Sequence, residues 1–243
     1  MKPNNIMEAD WRLIKEKYKD NLDYAIEKLN NNYPVQYLIG YVDFYNMRIN
    51  VDERALIPRY ETEELVSKVI DRIKKLDNPR VIDLGCGSGC IAIAIQKNTN
   101  SLVSAVDISK DAINLAKENA LLNKVDINFI NKKIEDVSLD GYDVIVSNPP
   151  YVCYDDEVGA ETKYEPSIAL YANESGTYYY RIIMEKVSKL LNKPSLIAFE
   201  IGYLQANKLT NLANTLLKEY DILIEKDLAL KNRFMFLSKK KGY

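Results

Sequence analysis

The sequence predicts an α/β fold, a mostly parallel, doubly wound sheet, and three observations predict it. From about residue 80 onward, short apolar runs alternate with amphipathic stretches, the pattern of strands joined by right-handed crossover helices. Asp83-Leu84-Gly85-Cys86-Gly87-Ser88-Gly89 falls between the first such strand and the first such helix, where a nucleoside-binding sheet carries its glycine loop. Tyr142-Asp143-Val144-Ile145-Val146 then runs into Ser147-Asn148-Pro149-Pro150-Tyr151. Two consecutive prolines cannot donate ladder hydrogen bonds, so the strand must stop there.

The elements follow in order. Residues 5 to 31 hold Ile6, Trp11, Ile14 and Tyr18, then Leu22, Ala25, Ile26 and Leu29, at helical spacing. They read as two short helices, too small to fold alone. Residues 33 to 57 alternate apolar and polar side chains and read as a hairpin. Thr62 is the expected N-cap of a helix reaching about Leu76. Strands are expected at 81–84, 102–106, 127–130, 142–147 and 195–201, with two more near 222–225 and 234–238. Helices are expected at 89–97, 111–123, 177–191 and 204–218. The divisions that result are a helical segment over 1–32, a β-hairpin linker over 33–58 and the main domain over 59–243. Val152–Gly176 lacks periodicity and is expected to be a lid that orders around a substrate. Lys239-Lys240-Lys241 is expected to be a solvated tail.

Bulk properties narrow the chemistry. At 243 residues the chain can bury a sizeable core, and 47% hydrophobic with 28% charged residues is ordinary for a globular protein. A net charge of −2 disfavours a duplex nucleic acid as partner. No secretory apolar region or membrane-length run occurs, so the expected location is the cytoplasm, without a membrane partner. Of the three cysteines, Cys86 sits in the glycine loop, Cys90 just after it and Cys153 follows the proline pair; all read as small apolar filler. There is no histidine, which removes imidazole bases, His-based triads and His-ligated zinc; no metal is expected.

The glycine loop differs from the dinucleotide fingerprint, because its third glycine comes one place early. It also begins with an acid, Asp83, which would repel a pyrophosphate but suits the ammonium of an amino-acid cofactor. Gly85, Cys86, Gly87, Ser88 and Gly89 would wrap that cofactor, with backbone N–H groups for its carboxylate. Asp107 ends the next strand, placed for two ribose hydroxyls. Ile108 and Ile134 are expected to face an adenine.

At the other strand end, the Asn148 side-chain oxygen and the Pro149 carbonyl would accept the hydrogens of a planar NH2 group. Tyr151 would pack on that group, and Pro150 would stiffen the turn. Held this way, a poor amide or aniline-like nucleophile is aimed in line with an electrophile. Together the two motifs indicate S-adenosylmethionine-dependent methylation of a planar nitrogen. The proline motif alone leaves adenine N6, guanine N2, cytosine N4 and glutamine amide nitrogen open.

From about residue 34 onward the chain resembles the protein-(glutamine-N5) methyltransferases of release factors, the HemK/PrmC family. The resemblance is carried by Pro34-Val35-Gln36-Tyr37-Leu38-Ile39-Gly40, Leu56-Ile57-Pro58-Arg59-Tyr60-Glu61-Thr62-Glu63, the glycine loop and Asn148-Pro149-Pro150-Tyr151. Further matches are Tyr164-Glu165-Pro166, Tyr180-Arg181, Glu200-Ile201-Gly202 with Gln205, and Asp227 with Arg233. It implies a class I S-adenosylmethionine-dependent methyltransferase, Rossmann-like, that acts on the glutamine of the release-factor Gly-Gly-Gln loop and leaves S-adenosylhomocysteine. Asn148 and Pro149 match the family's two amide acceptors, and Arg59 and Glu61 lie in the block expected near the substrate, with Arg59 ordering the mouth of the site by charge pairing. The chain departs from the family at Tyr60, where a proline is usual, at Ile134, where an aromatic is common, at Leu230, where a glycine is expected, and in its short N-terminal segment. Rival readings are a DNA or RNA amino-methyltransferase and an inactive adaptor of the same fold.

Overall fold

A computed structural model describes residues 6–240. Two helices, α1 (Glu8–Lys17) and α2 (Leu22–Asn30), lead the chain. They bury Trp11, Ile14 and Ala25 in a small core of their own, closed by Leu38. The expected hairpin begins later than its pattern implied: Val35–Ile39 is a helical turn, α3, and only β1 (Tyr41–Phe44) and β2 (Met47–Asn50) pair. Pro34 opens that turn and Gly40, at φ 93°, closes it in the left-handed region, the usual asymmetry of helix ends.

Helix α4 (Tyr60–Ile73) starts two residues before Thr62, directly after Arg59. Thr62 is therefore not its cap. Arg59 is extended, and its carbonyl already accepts from the Thr62 and Glu63 N–H groups. Then come β3 (Arg80–Leu84), α5 (Cys90–Asn98), β4 (Leu102–Asp107), α6 (Lys110–Asn123), β5 (Asn128–Asn131) and β6 (Val144–Ser147). Beyond β6 lie two single-turn helices, α7 (Ser167–Leu170) and α8 (Asn173–Gly176), then α9 (Tyr178–Ser188), β7 (Leu196–Glu200), α10 (Ala206–Leu216), β8 (Tyr220–Lys226) and β9 (Asn232–Lys239). Lys239 is thus the last residue of β9 rather than part of a tail; Lys241, like residues 1–5, lies outside the described residues.

The sheet runs β5-β4-β3-β6-β7-β9-β8. Strands β3 to β7 are parallel, and β9 is antiparallel to both of its neighbours. Helices cover both faces. Leu65, Val66 and Val69 of α4, Ile93 of α5 and Ala116 of α6 pack on one side; Ile183 and Met184 of α9 and Leu209 of α10 pack on the other. Val81, Ile82 and Leu84 of β3 are fully buried, as a central parallel strand requires. Each such side chain contributes about 1.5–3 kcal/mol of burial. The hairpin docks on α6 through Asn119, which exchanges hydrogen bonds with the Asn50 backbone at 2.8 and 3.0 Å and donates to the Ser88 carbonyl at 3.0 Å. One amide thereby ties linker, helix and glycine loop together. Among the described residues no helix is long and apolar enough to cross a membrane.

Candidate active site

Strand order changes direction at β3: the chain moves outward to β4 on one side and later to β6 on the other. The crevice beyond the carboxyl ends of such strands is where doubly wound sheets bind ligands. A cavity of about 260 Å³ lies there. Gly85, Gly87, Asp107, Ile108, Ile134, Asn148 and Pro150, each singled out from the sequence, line it. Asp83, Cys86, Ser88 and Gly89 do not; all four are buried behind it.

The loop shows what Gly85 and Gly89 each do. Gly85 has φ 74°, and a Cβ added there would meet no atom within 4 Å, so its bare backbone borders open space. Gly89, at φ 81°, instead lets α5 approach α6, where an added Cβ would stand 3.0 Å from that of Ala116. The Asp107 carboxylate accepts from Gly87 N at 2.9 Å and Ser109 N at 2.8 Å, one bond to each oxygen. Burial raises its pKa, and a second lone pair on each oxygen remains for hydroxyl donors. Behind the loop, Asp83 is fully buried. Its Oδ2 accepts from Ala92 N at 3.2 Å, and its Oδ1 is buried with no hydrogen-bond partner. Burial pushes this carboxyl up to about 7. An orphaned acid, loop backbone bordering open space and a cavity-lining carboxylate with acceptor capacity to spare fit a ligand with a ribose and an amino-acid ammonium.

A second, smaller cavity of about 60 Å³ adjoins the first. Arg59, Pro149, Tyr151 and Glu200 line it, and Asn148, Leu56 and Ala169 line both. Ser147 Oγ donates to Leu84 O at 2.6 Å, locking the end of β6 to β3 just before Asn148. Asn148 Nδ2 donates to Thr62 Oγ1 at 3.2 Å, and Thr62 Oγ1 donates to Glu200 Oε2 at 2.7 Å. The Tyr151 hydroxyl donates to Glu200 Oε1 at 3.3 Å, while the Tyr151 carbonyl accepts from Gln205 Nε2 at 3.0 Å. Burial pushes the Tyr151 hydroxyl well above its usual range.

Arg59 pairs with Glu165, whose side chain is completely buried and also accepts from Ile57 N at 2.9 Å. The segment after β6 is thereby strapped over the linker, and its Pro166, Ile168 and Ala169 reach the large cavity. Glu61 lies apart from both cavities, in a groove of about 330 Å³ that α1 and the hairpin share with the start of α4.

Sequence reasoning did not single out Arg54 and Ala55 of the linker, Ser109 and Ala112 of α6, or Tyr179 of α9 as cavity walls. None belongs to a local motif. Thr62 and Glu200 also meet at the site, although from the sequence each reads as an ordinary helix or strand residue. Among the described residues no group of three or more His, Cys, Asp or Glu side chains could hold a metal ion.

Residues 62–162 match the model of the methyltransferase small domain. The chain is 37% identical over 231 residues to the release factor glutamine methyltransferase of Lactococcus lactis subsp. lactis, covering 92% of this chain and 85% of that one. It is 41% identical over 226 residues to that of Streptococcus pneumoniae, covering 90% and 80%. Among solved structures, the ribosomal protein L11 methylase of Lactobacillus delbrueckii subsp. bulgaricus is similar with a TM-score of 0.54 at 24% identity, over 80% of this chain and 86% of that one, a likeness of fold alone.

Proposed function

The chain belongs to the release factor glutamine methyltransferases, and from that premise we propose that it methylates the glutamine side-chain nitrogen, N5, of the Gly-Gly-Gln loop of peptide chain release factors, with S-adenosylmethionine as donor and S-adenosylhomocysteine as product. The observation that carries this reading is that Asn148 lines two adjoining cavities, one bordered by the glycine loop and Asp107, the other small and closed by Pro149 and Tyr151.

In this reading Asp107 takes the ribose hydroxyls, the backbone of Gly85 and Gly87 takes the amino-acid end, and Ile108 and Ile134 flank the base. Asp83 acts from behind the loop as the compensating charge for the ammonium. When bound, S-adenosylmethionine supplies an electrophilic methyl group on a sulfonium. The chain's own residues do the rest. Asn148 Oδ1 and the Pro149 carbonyl accept the two amide hydrogens, which aims the nitrogen and draws its lone pair out of conjugation. Tyr151 packs on the amide plane. Pre-organisation of this kind is worth several kcal/mol, with about 7–11 as its ceiling. The nitrogen sheds its proton after the bond forms, so no strong base is needed. Arg59 and Glu165 hold the segment 152–176 as the rim around the incoming loop.

Residues 59–243 form the transfer domain in this reading, 33–58 its linker and 1–32 a docking segment. The site of action is the cytoplasm, with neither nucleic acid nor membrane as partner. Mass spectrometry of a release factor before and after incubation tests it: a gain of one methyl group on the loop glutamine is expected. Methyl label appearing in nucleic acid and not in release factor would overturn it.

A further inference from the structure

Glu200 ends β7 and is buried beside the small cavity. A threonine hydroxyl has one proton to give. Thr62 donates its proton to Glu200 Oε2 at 2.7 Å, so toward Asn148 its oxygen can only accept. The NH2 end of the Asn148 amide therefore faces Thr62, at 3.2 Å, and the carboxamide oxygen is turned away from it. The two ends of an Asn amide are nearly alike in shape, so packing alone does not choose between them; hydrogen-bond partners do. We propose that Glu200, acting through Thr62, is the positioning residue that sets which end of the Asn148 amide meets the methyl acceptor. This rests on the reading of the site given above.

The relay has a direction only while Glu200 is an acceptor. A protonated Glu200 can donate to Thr62, which frees the Thr62 proton for Asn148 Oδ1 and lets the amide turn over. Burial pushes Glu200 up to about 7. Glu61 from α4 pushes it the same way, whereas the bonds from Thr62 and Tyr151 and the charge of Arg233 on β9 pull it down. Arg233 is itself paired with Asp227 at 3.2 Å. Tyr180 of α9 donates to the Glu200 backbone carbonyl at 2.7 Å, and the Cys90 thiol of α5 feels the same carboxylate. The ionised form prevails above the folded pKa, so orientation is lost as pH falls through about 7.

The test is steady-state kinetics of the full chain with release factor as acceptor, alongside calorimetry of S-adenosylmethionine binding and thermal unfolding. Thr62→Val is expected to lower kcat about tenfold or more, with the cofactor Kd and the acceptor KM within about threefold. Thr62→Ser should recover most of the lost kcat. Wild-type kcat should fall as pH is lowered through about 7, whereas Glu200→Gln should give a lower kcat without that fall. The proposal is overturned if Thr62→Val keeps kcat, if cofactor binding or melting temperature drops in step with kcat, or if Glu200→Gln keeps the acid limb. The Asn148 side-chain amide NMR signal gives a readout that needs no acceptor: it should move in both Thr62→Val and Glu200→Gln, and a signal unmoved by the second sinks the relay. A wild-type chain that labels no release factor would count against the proposed function instead.

Discussion

Asn148 and Asp107 stand at the ends of strands separated only by β3, and substitution should separate their roles. Asn148→Ala is expected to cut turnover by about 100-fold or more, as loss of a pre-organised polar contact does. Cofactor affinity measured by calorimetry should stay within a few-fold. Asp107→Ala should instead raise the cofactor Kd by about ten- to a hundredfold, since bonds to a charged group are worth about 1.5–3 kcal/mol; the same titration checks it. That both line one cavity was legible, because each stands at a strand end in a stretch whose spacing makes physical sense by itself. Thr62 and Glu200 carry equally specific contacts, yet each is an ordinary residue inside a block that reads as helix or strand. Their partnership spans 138 positions of sequence, and only the folding of α4 against the end of β7 brings them together. Asp83 is expected from the sequence to face a cofactor; its burial behind the loop was not legible, because no pattern distinguishes an acid in front of a strand end from one beneath it.

Among elements, the segment between β6 and α9 depends most on a single position. Gly176 has φ 74°, and an added Cβ would stand 2.0 Å from the Tyr151 carbonyl oxygen and 2.5 Å from Gln205 Nε2. Gln205 Nε2 reaches the Tyr151, Ser175 and Gly176 carbonyls together, so the close approach fixes the backbone that follows the proline pair. Gly176→Ala should cost on the order of 2 kcal/mol or more. Calorimetry should show a melting temperature lower by several degrees, and the same variant should lose turnover through displacement of Tyr151. The irregular sequence here was recognisable as a non-repeating segment; its short turns and its bridge between Val152 and Tyr171 were not. The long helices were legible because amphipathic period and burial agree in them, and the central strands because short continuous apolar runs are buried on both faces. The turn over Val35–Ile39 was not, because five residues are too few for a helical period to stand out from alternation.

At the scale of the whole molecule, the sheet carries buried acid at the ends of β3 and β7. Asp83 and Glu200 are both raised to about 7 by burial, from ordinary values of 3.8 and 4.5. A raised folded pKa means that the native state holds its proton more tightly than the unfolded chain. The stability this gives is complete below about pH 4 and is lost as pH rises through about 7. Asp83→Asn removes the Asp83 part of that dependence. Its melting temperature relative to wild type should therefore rise between about pH 4 and pH 8, checked by unfolding the cofactor-free proteins across that range; a constant difference would contradict it. One more consequence follows from the strand order. The antiparallel β9 lies between β7 and β8, so the last described strand to be synthesised is an interior one. While residues 232–239 are still inside the ribosome, the nascent chain exposes an open edge of β7 that its later neighbour must cover, and β8 has nothing to pair with. The sheet can be zipped shut only once that final strand has emerged.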